Sequence, residues 1–420
     1  MDDTKKRAWW QAPWGYKESF AFVGGLSLVG ILLQLTTGNF NFMILEFPVG
    51  LIALLLVLVL TGLMVIRHRS SFFGWFSGVP MSVTIIAGVL FFTLIMGLVP
   101  QHGEGHSHAH SPLGFDTVTR SWPFVLLYAV LVLNLSMVTA RRLLAFRWRD
   151  YAFYLNHLGL LILLIAAGIG AADLRRYVMH VTEGQTEWRV FSDQGDMLEL
   201  PLAIHLKDFY MEEYIPKLAI IDKQSGEAIP AGKPQMWQID TVKTTGSIVD
   251  WKLEVVDYIH EAVRNSDSTY RHVPMPGSCP AVLVKVSNPA VGFERTAWVC
   301  GGNFAQLYMT IELNDHLNLV MTRPEPKLYR SDVIVYTQSE KTIPALIEVN
   351  KPLQVENWYV YQYSYDSDLG KASTTSSFEL VYDPWLPWVY IGLWMFIAGS
   401  VLLIWEGNKK AKLKKDDHLG

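Results

Sequence analysis

The chain has 420 residues, of which half are apolar and 15 are tryptophan, and its formal net charge at neutral pH is −4. So apolar a composition is rare in a soluble domain of this size and excludes a single soluble globule. The small net charge gives no support to nucleic-acid binding. P-loop, GxGxxG, HExxH and GxSxG motifs are missing from the sequence. Nucleotide-driven transport and standard hydrolase chemistry therefore have no support.

Long apolar runs dominate the first 172 residues and return near the C-terminus. Each has about 20 residues, enough to cross the roughly 30 Å hydrocarbon core of a bilayer as a helix. The region between the fifth and sixth runs, residues 173–385, is polar and long enough to bury a core of its own. We therefore predict a membrane α-helical bundle of about six spans with a large domain inserted between the last two. The runs are approximately 19–37, 44–66, 80–99, 122–140, 152–172 and 386–405.

Basic residues indicate the orientation of these spans, because Lys and Arg in short loops stay preferentially on the cytoplasmic side. The first run is too long for a signal peptide and lacks a small-residue cleavage site, so we expect it to be retained. If the N-terminus is cytoplasmic, fifteen basic residues lie inside, and the opposite short loops hold only Arg120. The inserted domain then lies outside a cytoplasmic (inner) membrane. The fifteen are Lys5, Lys6, Arg7, Lys17, Arg67, Arg69, Arg141, Arg142, Arg147, Arg149, Lys409, Lys410, Lys412, Lys414 and Lys415.

This topology divides the chain into segments of different character, each bounded by the end of a run. We expect a cytoplasmic N-terminus, a transmembrane hairpin, three further helices with a His-rich external loop at 100–121, an extracytoplasmic domain, a last helix and a basic cytoplasmic tail. In chain order these are residues 1–18, 19–66, 67–172, 173–385, 386–405 and 406–420.

Apolar and polar residues alternate in several segments of the inserted region, which is typical of half-buried β-strands. Residues 200–206 place Leu and Ile on one face, and residues 251–255 alternate Trp, Leu and Val with Lys and Glu. Residues 281–286, 333–336 and 358–365 are rich in β-branched or aromatic side chains. Pro- and Gly-containing turns separate the segments, so we predict a β-rich domain built as an antiparallel sandwich or barrel-like sheet.

The two cysteines, Cys279 and Cys300, both fall in this domain, where a disulfide can form and persist. The sequence leaves open whether they are bridged. Their spacing fits no zinc motif, and the chain contains no CxxCH, so it is not itself a c-type cytochrome.

His157 is the one residue between Tyr151 and Ala172 in the fifth apolar run whose side chain titrates near neutral pH. An ionisable group inside a membrane is costly and usually lines a cavity, a pathway or a cofactor site. Imidazole is also a common axial ligand of haem iron. The alternative is a histidine bonded to a neighbouring helix. At 1.5 Å per residue, His157 lies about 9 Å inside the end at Tyr151, in the cytoplasmic half of the membrane.

Two further groups are candidates for polar chemistry. Asn134 lies six residues from the inner end of the fourth run, at the same depth as His157. It is therefore a candidate for a hydrogen-bonding partner that orients the imidazole. The alternative is an ordinary interhelical amide contact. The second external loop carries His102, His106, His108 and His110. Such density suggests capture of Zn²⁺, Cu²⁺ or haem iron, although a Gly/Ser-rich loop can carry histidines simply because they are soluble.

Several sequence pieces, in order, resemble the ResB family, also called CcsB, of system II cytochrome c maturation, especially the ResB-like half of the fused NrfI and CcsBA proteins. They include "GLVPQ", "SWPFVLLYAVLVLNL", "HLGLLILLIAAGIGA", "VTEGQ", "PKLYRSDVIVY", "YVYQYSYD" and "ELVYDPWLPWVYIGLWMFIAG". The resemblance spans most of residues 80–405. It leaves the hairpin 19–66 and the His-rich loop without a counterpart.

The resemblance implies a protein that moves haem b outward and presents it to the CxxCH thiols of apocytochrome c. His157 matches the intramembrane histidine that is assigned in this family as an axial haem ligand. The family's CcsA partner, with its WWD segment and further histidines, supplies the other ligands, and none of these is recognisable here. We therefore expect a subunit of a haem lyase that has no catalytic residues of its own and works beside a CcsA-type membrane protein.

Two other classes of function remain open on the sequence. A membrane-anchored assembly or sensor protein would use the β-rich domain to bind a partner and would hold no haem. A metal transporter would use the loop histidines together with His157. Haem in the purified protein separates these hypotheses from the first.

Overall fold

The computed structural model describes residues 12–67, 70–101, 111–191 and 196–416, with side chains up to Gly407. The chain divides into two compact units. The helical unit consists of the chain up to Leu174 together with the segment from Asp383 onward, and the β unit is Arg175–Tyr382. Sequence patterns predicted 173–385 for the inserted domain. In sequence, the β unit lies between the last two helices.

Seven α-helices occur in the described part of the helical unit, and six of them are long and apolar enough to cross a membrane. Many of their large apolar side chains are exposed, as expected for helices that face lipid. The short one, α3, has six residues. The helices are α1 (Tyr16–Thr37), α2 (Val49–Ile66), α3 (Ser71–Phe76), α4 (Val79–Leu98), α5 (Trp122–Leu144), α6 (Tyr151–Asp173) and α7 (Leu386–Asp416).

Two of these helices, α2 and α7, differ most from the predicted runs, each at one end. The second run was predicted to begin at residue 44, but α2 begins at Val49, because Phe42–Leu45 forms a 3-10 turn and Pro48 stands at the N-cap. Proline has no backbone N–H to donate, so it suits a helix start and not a helix interior. At the other end of the chain, α7 continues through the basic tail to Asp416.

Seventeen strands make up the described part of the β unit, and every pairing between them is antiparallel. They are β1 (Arg175–Thr182), β2 (Thr186–Phe191), β3 (Met197–Glu213), β4 (Lys217–Asp222), β5 (Met236–Gln238), β6 (Thr245–Ile248), β7 (Trp251–Arg264), β8 (Tyr270–His272), β9 (Cys279–Asn288), β10 (Phe293–Cys300), β11 (Ile311–Glu312), β12 (Leu317–Met321), β13 (Pro326–Thr337), β14 (Thr342–Glu348), β15 (Leu353–Val355), β16 (Trp358–Tyr365) and β17 (Thr375–Tyr382).

The strands form two sandwiches, one inserted into the other. The terminal sandwich packs the sheet β1-β17-β16-β15 against the sheet β14-β13-β3-β2. The central sandwich packs β10-β9-β7-β6, with β8 beside β7, against β11-β12-β4-β5. All strands of the central sandwich fall between β3 and β13, and these two strands pair with each other. Each sandwich therefore has its own apolar core.

All five segments predicted as strands are strands, within β3, β7, β9, β13 and β16. The predicted face of 200–206 is also confirmed, since Leu202, Ile204 and Leu206 are buried in the core of the terminal sandwich. The prediction of an antiparallel sandwich is confirmed, and the structure contains two of them.

Candidate functional site

His157 lies in α6 and is half-buried. Its ring stacks on the ring of Phe153, one turn earlier, with centroids 3.8 Å apart and planes inclined by 24°. The imidazole interacts with the backbone of Phe153 in its own helix. Its Nδ1 is enclosed, and among the described residues no hydrogen bond joins the ring to a neighbouring helix. Since buried polar atoms are nearly always paired, the absence of an interhelical bond at this histidine requires an explanation.

The neighbouring residue of α6 shows the opposite situation. Asn156 donates a hydrogen bond from Nδ2 to Ser400 Oγ on α7 at 2.8 Å. Here the two helices approach closely, since a Cβ built on Gly159 would lie 2.5 Å from the Phe396 nitrogen. His157 precedes Gly159 by two residues, which corresponds to just over half a helical turn. His157 therefore lies on the side of α6 opposite Gly159, away from α7.

The side of α6 that carries His157 packs against α5. Tyr128 of α5 donates a hydrogen bond to the Leu164 carbonyl at 2.6 Å. A Cβ built on Gly168 would lie 3.2 Å from the Tyr128 ring. His157, Leu164 and Gly168 follow the spacing of one helical stripe. The imidazole is therefore placed on the α5 side of α6.

Arg142, in the last turn of α5, completes this arrangement. Its guanidinium carbon lies 5.4 Å from the centroid of the Phe153 ring. Its Nε lies 3.2 Å from a carboxylate oxygen of Asp150. Phe153 thus contacts the cation on α5 and the imidazole on α6. We name Arg142, Phe153 and His157 the cation–aromatic–imidazole column.

The other predicted site residue, Asn134, has different neighbours. It is buried, with 2% of its surface exposed. Its Nδ2 donates a hydrogen bond to the Phe76 carbonyl at the end of α3, and its Oδ1 accepts one from Ser82 of α4 at 3.0 Å. Within the described residues, no hydrogen bond joins it to His157. The predicted role of Asn134 in orienting His157 remains a prediction, without a contact to support it.

The histidines of the external loop, His102, His106, His108 and His110, lie outside the described residues. Within the ranges that are described, no three His, Cys, Asp or Glu side chains converge on a possible metal site.

Cys279 and Cys300 lie side by side as two buried thiols, with their Sγ atoms 2.9 Å apart, in a small apolar cluster that is separate from the core of the central sandwich and includes Ala262, Tyr270 and Ala281. The hydrogen bond between the two sulfurs lowers the pKa of the Cys300 thiol. The same hydrogen bond, with burial, raises the pKa of the Cys279 thiol. The sequence placed both cysteines in one domain, and the structure brings them into contact.

Sequence reasoning found His157 but missed Phe153 and Arg142. The spacing of Phe153 and His157, four residues apart in one helix, was the available signal, since such pairs are neighbours on a helix surface. Arg142 was interpreted only as a topological anchor. Its proximity to Phe153 depends on how α5 and α6 are rotated against each other, which one sequence does not reveal.

Six helices long and apolar enough to cross a membrane, with a β unit inserted before the last of them, are consistent with a multi-pass membrane protein. The model of the ResB-like family matches residues 292–375 of this chain. This match confirms the resemblance to the ResB family in that segment, which runs from β10 of the central sandwich to the first residue of β17. His157 lies outside it. No curated protein matches the chain.

Proposed function

We propose that this protein is the haem-handling subunit of a system II cytochrome c maturation complex. It would take up haem b in transit, together with a CcsA-type membrane partner, for covalent attachment to apocytochrome c. The match of residues 292–375 to the ResB-like family supports the pathway. The residues of the helical unit support a role with haem itself.

The observation that carries this proposal is that the His157 imidazole, enclosed at Nδ1, interacts with the backbone of its own helix at Phe153 and makes no hydrogen bond to a neighbouring helix in the described chain. A histidine kept for packing would be expected to bond to a neighbouring helix, as Asn156 does. A histidine kept as a ligand needs one ring nitrogen open to the metal. The Nε2 atom is not among the enclosed, unpaired atoms of the described residues, so it is the nitrogen available for iron.

The surroundings of His157 suit a porphyrin. Phe153 offers an aromatic surface beside the imidazole, and the stripe towards Leu164 is apolar. A large, flat, mostly apolar molecule loses unfavourable contact with water in such surroundings. Axial ligation would hold the iron while the partner supplies a second ligand. The attachment chemistry belongs to the vinyl groups of haem and the thiols of the apocytochrome.

We propose that the β unit is extracytoplasmic, because fifteen basic residues mark the other side. Reporter fusions after Arg69 and Arg149 should report a cytoplasmic location, and a fusion after Asp193 an external one. A cytoplasmic signal at 193 would overturn this orientation, and with it the delivery of haem to an external apocytochrome.

Replacement of His157 tests the haem role directly. His157→Gly, coexpressed with the partner, should lower copurifying haem at least several-fold, because the axial nitrogen is lost. The substitution leaves a cavity of nearly imidazole size, so free imidazole should partly restore both the absorption spectrum and cytochrome c maturation.

Leu161→Gly is the matched control, since it opens a cavity one turn further along the same side of α6 without removing a ligand. Imidazole should not change its spectrum. Full haem occupancy and an unchanged spectrum in His157→Gly would refute the ligand role. Metal-dependent stability without any haem would favour the metal transporter instead.

A further inference from the structure

Arg142 differs from the other basic residues of the α5–α6 connection in what it contacts. It lies over Phe153, whose ring stacks on His157. The guanidinium carbon lies 5.4 Å from the Phe153 centroid, and that centroid lies 3.8 Å from the imidazole centroid. The distance from the guanidinium carbon to the imidazole centroid therefore cannot exceed the sum of these two distances. A fixed positive charge thus lies within the dimensions of one porphyrin from the predicted iron ligand.

The hydrogen-bonding capacity of Arg142 is only partly used. Asp150 lies against Nε. The terminal nitrogens make no hydrogen bond within the part of the chain that the structure describes, and about half of the side chain is exposed. A guanidinium presents its donors as a planar fork that matches a carboxylate. Arg142 therefore retains donors for an anionic group beside the imidazole.

Its neighbour Arg141 provides the contrast. Arg141 donates to the hydroxyl of Ser77, in the connection between α3 and α4. The two residues have the same charge and adjacent positions, and they contribute equally to the positive-inside signal. Only Arg142 shares an aromatic neighbour with His157.

We propose that Arg142 binds the carboxylates of the haem whose iron is ligated by His157. This inference rests on the proposed function and adds the group that orients the haem. Haem has an apolar ring and two carboxylates at one edge. With iron at His157 and the ring beside Phe153, the carboxylates would reach Arg142 in the last turn of α5, the end that we assign to the cytoplasmic side. There they also remain near water, which reduces the cost of burying their charge.

The test compares ferric haem with its dimethyl ester, in which both carboxylates are blocked. Each is titrated into the purified full-length chain, and binding is followed by the absorption spectrum of the His-ligated iron. The unmodified chain should bind haem about tenfold more tightly than the diester, as expected for a charge-assisted contact. In Arg142→Gln this preference should fall to about one, with diester binding unchanged.

Two variants control for charge and topology. Arg141→Gln removes the same charge from the same connection and should keep the tenfold preference. Arg142→Lys keeps the charge without the fork and should retain part of the preference. Equal binding of haem and diester by the unmodified chain would overturn the proposal, even if every variant failed to fold. An unchanged preference in Arg142→Gln would overturn it as well.

The same titrations separate this inference from the proposed function. If His157→Gly binds both porphyrins as the unmodified chain does, the ligand role fails and the Arg142 inference fails with it. If both porphyrins require His157 but bind equally well, only the role of Arg142 is wrong.

Discussion

The two sides of α6 handle polar groups in opposite ways. On the side facing α7, glycines allow the backbones to approach, and Asn156 is bonded to Ser400. On the other side, His157 stacks on an aromatic ring and interacts with the backbone of its own helix at Phe153, and in the described chain it makes no hydrogen bond to a neighbouring helix. The first polar group joins two helices, whereas the second does not. The comparison separates polar groups that hold helices together from those that do not.

The close packing of α6 on α7 gives the largest expected effect. Gly159→Ala places a Cβ 2.5 Å from the Phe396 backbone nitrogen, which cannot move without shifting α7. We expect a loss of about 1–3 kcal/mol in unfolding free energy, as for an overpacked core. Denaturant unfolding followed by tryptophan fluorescence measures this loss.

Gly62→Ala in α2 is the control, because a Cβ there meets nothing within 4 Å. It should be neutral, or stabilising by up to about 1 kcal/mol, since alanine is the better helix former. Equal losses at Gly62 and Gly159 would show that the α6–α7 contact is not specially tight.

An amide bonded between helices and an imidazole without an interhelical bond should differ in their effect on stability. Asn134→Leu leaves the Phe76 carbonyl without this donor, while the Ser82 hydroxyl still donates to the Gly78 carbonyl at 3.2 Å, so we expect a loss of about 1 kcal/mol. His157→Leu breaks no hydrogen bond between helices in the described chain and should cost less. The same unfolding assay on the chain without haem compares them. A larger loss for His157→Leu would break the distinction between the two residues.

The smallest effect concerns the pair that joins α6 to α7. The coupling between Asn156→Leu and Ser400→Ala should be about 0.6 kcal/mol, the usual size of an interhelical hydrogen bond in a membrane. A double-mutant cycle measures it. The corresponding cycle of His157→Leu with Ser400→Ala should give a value near zero. Similar couplings in both cycles would mean that His157 also belongs to the α7 interface.

Hydropathy and alternation predicted the elements well, because each depends on neighbours in sequence. The apolar length needed to cross a bilayer located the six long helices, and the period of two located the strands. The two-sandwich arrangement was not predictable in this way. It depends on pairings between distant strands, β1 with β17 and β3 with β13, which are not encoded in any local period.

The candidate site was predictable only in part, for a similar reason. An ionisable residue in an apolar span is visible in the sequence, so His157 was found. The partners of Asn134 were not visible, because a helix that is apolar on all sides does not show which neighbour each side contacts. Equal depth in the membrane suggested His157 as the partner of Asn134. In the structure, Asn134 is hydrogen-bonded instead to residues of α3 and α4.

One sandwich is inserted in the sequence of the other, and both lie between α6 and α7, so these parts are synthesised in a fixed order. The central sandwich is complete once β12 has emerged, the terminal sandwich once β17 has emerged, and the partner of α6 is made only after both. At about 5–20 residues per second, the roughly 200 residues of the β unit take about 10–40 s to translate. Throughout that interval the glycine face of α6 lies in the membrane without α7. Both sandwiches are therefore fully synthesised before α7, and the contact of α6 with α7 is the last of these that the growing chain can make.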